Sequence, residues 1–151
     1  MTVDAILAIV HHLAAFSLVA LLVAEFVLLR GRLDADGIRR FGQVDILYGI
    51  AAIVVVIAGV ARLFFGAVDI GFYLGNAFFW LKMASLAIVA LVSIQPTILG
   101  VRWRQAVDRD AAFTPPATDI SAIRRNLAIE VIVLPLIPIS AALMARGIGS
   151  L

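Results

Sequence analysis

The chain has 151 residues, 64% of them hydrophobic and 15% charged, with a net charge of +2 and no cysteine. A soluble domain is nearer half apolar and a quarter charged, so this composition, with a mean hydropathy of +1.11, points to a multi-pass membrane protein. The missing thiols exclude disulfides, thiolate metal sites, iron–sulfur clusters and cysteine nucleophiles. The arginines flank apolar runs and form no tract, so they set topology and do not bind nucleic acid.

Four apolar runs follow one another, at about residues 3–29, 46–65, 77–100 and 127–145. Each has the length of a membrane-crossing helix and none has the alternation of a membrane strand. The expected fold is all-α, a single domain over residues 1–151 built as a four-transmembrane-helix bundle. The first run opens without the basic flank of a signal peptide and is read as retained.

Between the first two runs, Arg30, Arg32, Arg39 and Arg40 form a basic connection, in which Asp36 is expected to cap the second helix. Asp34 to Gly37 resembles the start of a calcium loop, but the remaining ligand spacing is missing. Between the third and fourth runs, Arg102, Arg104, Arg109, Arg124 and Arg125 surround a Thr114-Pro115-Pro116 break, after which Thr118 or Asp119 is the expected cap. Nine of the twelve basic residues lie in these two connections. The positive-inside rule makes both cytoplasmic and both termini extracytoplasmic, in a bacterial inner membrane.

Topology converts position into depth at ~1.5 Å per residue. His11 and His12 fall in the outer half of the first span, level with Lys82 on the third and Arg62 on the second. Glu25, Asp45, Gln95 and Glu130, one per helix, fall towards the inner boundary, with Tyr48 a turn beyond Asp45. Ionisable groups at such depths face a partner, a cofactor or a water path. His11 and Glu25 share a face with Ala14, Ala15 and Leu18, whereas His12 points about 100° away.

Each of these residues has an ordinary role as well. Arg62 and Lys82 can snorkel to the boundary, and Asp45 and Glu130 can complement helix N-termini. Gln95 can satisfy a carbonyl freed by Pro96, and Pro135 with Pro138 can bend the fourth helix. Met83 and Met144 read as packing residues, and Tyr73, Trp80 and Trp103 as interfacial anchors. A neutral imidazole can bond to a neighbouring helix, or it can ligate haem iron, copper or zinc, which makes His11 and His12 the candidate metal ligands.

Four motifs carry a resemblance: His11-His12-Leu13-Ala14-Ala15-Phe16, Arg39-Arg40 with Asp45-Ile46-Leu47-Tyr48-Gly49, Asn76-Ala77-Phe78-Phe79-Trp80-Leu81-Lys82, and Ser93-Ile94-Gln95-Pro96-Thr97. Together they resemble an uncharacterised family of bacterial four-span membrane proteins. More distantly, the layout is similar to the HemJ-type protoporphyrinogen oxidases and, more weakly, to the CopD-type copper-resistance proteins. The HemJ-type resemblance implies a haem b oxidoreductase, with His11 or His12 on the iron. Lys82 and Arg62 would then pair with propionates, Glu130 or Glu25 would take protons, and a quinone would accept electrons. The family's fourth-helix Asn-Glu pair is kept here only as Glu130. The rival readings are a small transporter or proton- or metal-conducting protein, with a relay from His11 and Lys82 to Glu25 and Glu130, and a non-catalytic assembly subunit. Self-association as a homo-oligomer is expected in each case.

Overall fold

The computed structural model describes residues 3–66 and 68–151. Six helices follow in order: α1 (Val3–Leu28), α2 (Ala35–Phe65), α3 (Ile70–Leu74), α4 (Ala77–Arg109), α5 (Ala117–Val133) and α6 (Leu136–Ala145). With α5 and α6 taken as one broken helix, four helices are long and apolar enough to cross a membrane. The protein is therefore a multi-pass, all-α membrane protein, as its composition indicates.

α1 pairs with α2, α2 with α4, and α4 with α5 and α6, so chain neighbours are spatial neighbours. Both termini lie at one end: Asp4 of α1 approaches Arg62 of α2 at 3.6 Å, and the C-terminal tail lies against Asn76 before α4. This is the terminal end. The opposite end, carrying the two arginine-rich connections, is the basic end.

The ring closes at the basic end, where α5 packs on α1. Beyond the break at Pro135, α6 runs along α4, and among the described residues its backbone does not approach α1 or α2. The buried residues of α1 are accordingly Leu18, Leu22 and Glu25, all in its second half.

α2 and α4 have 31 and 33 residues, or roughly 45–50 Å, well beyond a hydrocarbon core of about 30 Å. The excess lies at the basic end and builds a cap from all four spans. Leu29, Ile38, Phe41, Trp103, Val107, Ile123 and Leu127 fill its core. Trp103 is 2% exposed, lies 6.0 Å from the Phe41 ring and directs its indole N–H to Asp119. It is a core residue and not the interfacial anchor expected, because α4 continues past the boundary as one face of this cap. Trp80, by contrast, is exposed and donates to the Leu74 carbonyl at 3.1 Å, as an anchor would.

The helix starts also shift. The cap of α2 is Asp34, whose side chain accepts from the Gly37 amide at 3.0 Å, and Asp36 lies inside the first turn. α5 begins after Pro116 without a side-chain cap bond, so neither Thr118 nor Asp119 fills that role. Proline's fixed φ serves the start of a helix without one.

Candidate functional site

Asp45 and Glu130 are not at helix N-termini. α2 starts ten residues before Asp45, and Glu130 lies in the last turn of α5, three residues before Val133. The macrodipole therefore complements neither carboxylate. Their position has to be explained by what surrounds them.

Glu25, Tyr48 and Glu130 come from α1, α2 and α5 and meet in the middle of the bundle. Glu25 and Glu130 are each 1% exposed. The Tyr48 hydroxyl donates to Glu130 Oε2 at 2.7 Å, while Glu130 Oε1 and Glu25 Oε1 are buried with no hydrogen-bond partner among the described residues. Asp45, one turn before Tyr48 on α2, is within electrostatic reach of both glutamates and accepts from the Thr97 hydroxyl at 2.9 Å. The helical spacing 25, 45/48 and 130 brings three acids and a phenol into one layer. An isolated carboxylate is costly in such surroundings, so each group requires a proton or a mobile cation as its partner. Among the described residues, no set of three or more His, Asp or Glu side chains converges in a way that could hold a metal ion.

A second polar layer adjoins the first. Pro96 has no N–H, so the Val92 carbonyl one turn earlier loses its helical partner. The Asn126 amide of α5 donates to that carbonyl at 3.0 Å and also to Gln95 Oε1 at 3.0 Å. The expectation that Gln95 satisfies the freed carbonyl is thus corrected: Asn126 does so, and Gln95 orients Asn126. α4 remains one helix through the proline.

The terminal half holds the histidines, and they diverge. The His11 ring lies against Gly59, where a Cβ would come 3.3 Å from His11 Cε1, and its Nδ1–H donates to the Val55 carbonyl at 3.0 Å. His12 is exposed and bonds back to Ala8 on its own helix at 2.6 Å. Arg62 pairs with Asp4, and Lys82 Nζ stands 5.1 Å over the Phe79 ring. Arg62, Lys82 and His12 all lie within electrostatic reach of His11, with His12 on the exposed side of α1.

His11 faces the α1–α2 interface, against Gly59 and the Val55 carbonyl. The propionate partners assigned to Lys82 and Arg62 have local partners of their own in Phe79 and Asp4. His11 with Val55 and Arg62 with Asp4 tie α1 to α2, whereas Lys82 stays on α4 over Phe79.

Sequence reasoning put Glu25, Asp45 and Glu130 at this depth with Tyr48 beside them, but gave Tyr48 no role and left out Thr97 and Asn126. A signal for Asn126 exists: a proline inside a membrane helix calls for a donor from a neighbour at the same depth.

Neither the curated proteins nor the solved structures gave a match to this chain. A family sequence model does match it, across residues 3–149, a range that takes in both polar layers and all four spans. The chain therefore belongs to the family described as Predicted membrane protein (DUF2214).

Proposed function

We propose that this is a proton-conducting or proton-coupled protein of a bacterial cytoplasmic membrane, with Glu25, Tyr48 and Glu130 as its proton-binding centre. One observation carries the reading. Two glutamates from different helices are buried at the same depth, and each has a carboxyl oxygen without a partner. A group that must hold a proton when sealed, and can release it when hydrated, is the elementary part of a proton carrier. The step is a plain transfer: an O–H bond breaks on one carboxylic acid and forms on the next carboxylate, with Tyr48 holding Glu130 in place. Ser93 and Lys82 lie on the α4 side between this centre and the terminal end, which fits a relay towards His11.

The test is proton movement into liposomes holding a pH-sensitive dye, driven by a potassium diffusion potential. The native protein should acidify the lumen, and the E25Q/E130Q variant should do so at least tenfold more slowly. Proteoliposomes no faster than empty ones, or a double variant that conducts like the native protein, would remove the reading.

The haem oxidoreductase reading is the alternative. Exposed His12 would have to provide the iron ligand at a contact between two copies of the chain, with Glu25 and Glu130 receiving protons.

A further inference from the structure

At the basic end a cavity of about 210 Å³ opens between α2 and α4. Its walls are Gly42, Ile46, Gly100 and Val101, its rim is Arg104, Gln105 and Asp108, and Asp45 forms its floor. We infer that this cavity is a water-filled vestibule through which the basic side of the membrane reaches Asp45, which passes protons to Glu25 and Glu130. The inference rests on the proposed proton centre and gives it a side and a loading residue.

Three features support it. First, the room is made by glycine: a Cβ at Gly42 would meet nothing closer than the Arg104 stem at 3.8 Å, while Gly100 is covered by Phe41. A larger residue at Gly42 would narrow the cavity towards Arg104, so the sequence leaves it open there. Second, the rim is polar and charged, with Asp108 turned towards Arg39 at 3.4 Å and Arg104 unopposed by it. Water wets such a rim. Third, the floor is acidic: Asp45 is 4% exposed, its Oδ1 is held by Thr97, and it lies one helical turn from Tyr48. The charged groups facing Asp45 are thus Arg104 and Asp108 at the rim, and Glu25 and Glu130 beneath.

The absence of cysteine in the chain makes single introduced cysteines unambiguous reporters. In vesicles exposing the basic side, a membrane-impermeant cationic methanethiosulfonate should modify Asp45→Cys at least tenfold faster than Ala51→Cys, which is buried deeper in α2. Adding Gly42→Leu should slow the Asp45→Cys reaction by a similar factor. Should Asp45→Cys not fold, Ile46→Cys and Val101→Cys on the walls replace it, compared with lipid-facing Ile50→Cys and Ile98→Cys. Modification of the wall or floor positions no faster than these controls, or faster from the terminal side, overturns the vestibule. Labelling as expected without proton flux in liposomes leaves the vestibule standing and removes the proposed function. Flux with an inert floor and walls does the reverse.

Discussion

The Tyr48 hydroxyl reaches Glu130 at 2.7 Å across 82 residues of sequence, joining α2 to α5, whose backbones stand diagonally opposite and do not approach one another among the described residues. The long phenol spans the interior that the helices leave between them. Tyr48→Phe removes the hydroxyl that donates to Glu130 Oε2 and leaves that buried acceptor without it. It should cost about 1–3 kcal/mol, visible as a lower midpoint in detergent thermal unfolding. Proton flux should fall as well, since Glu130 loses its fixed orientation.

Glu25→Gln and Glu130→Gln separate function from stability. Each replaces an acid lacking a counter-ion with a neutral amide of similar shape, so neither variant should unfold more easily than the native protein. Both should lose proton flux. A variant that loses flux through collapse would instead show a lowered unfolding midpoint in the same preparation.

The two histidines should behave differently. His11→Ala empties the notch at Gly59 and removes the hydrogen bond to Val55, so it should destabilise the α1–α2 pair by about 1–3 kcal/mol. His12 is exposed and its hydrogen bond is to its own helix, and His12→Ala should change stability by less than about 0.5 kcal/mol. Haemin titrated into the purified protein should give no Soret band that depends on either residue; a band lost with His12→Ala would instead establish the haem alternative.

At the terminal end, the tail is held by three hydrogen bonds: Asn76 Nδ2 to the Ile148 carbonyl at 3.1 Å, the Ala77 amide to the Gly149 carbonyl at 2.8 Å, and the Leu151 amide to the Gly75 carbonyl at 2.9 Å. Gly149 adopts φ +88° and its Cα faces the Phe78 ring with no room for a Cβ. Gly149→Val should release the tail, and protease added at that end should then trim the last residues faster than in the native protein.

The spans were legible because a run of apolar residues is a local signal that lipid reads one helix at a time. The early starts of α2 and α5 were legible too, from Asp36 and from Thr118 or Asp119, but the packed core at the basic end was not, since Ile38, Phe41, Trp103, Val107 and Ile123 are scattered among arginines and aspartates that lower the mean hydropathy. Their three- and four-residue spacing was nonetheless present, and Asp45 and Tyr48 continue it into the membrane. The same oversight placed Asp45 and Glu130 at helix ends. Glu25 and Glu130 stood out because they are isolated charges in apolar runs. Tyr48, Thr97 and Asn126 carry no charge, and their importance depends on what lies across from them. The direction taken by His11 followed from its helical phase, but only the notch at Gly59 explains why it ends on Val55.

The cap at the basic end draws Leu29, Phe41, Trp103 and Ile123 from four separate spans, and the Arg124 guanidinium closes it by donating to the Leu29 carbonyl at 2.6 Å. Such a core cannot form while any one span is still outside the bilayer. Biogenesis thus has a built-in finishing mark: a chain with a late or inverted last helix would leave a tryptophan and a phenylalanine bare in water, in view of the membrane's quality-control proteases.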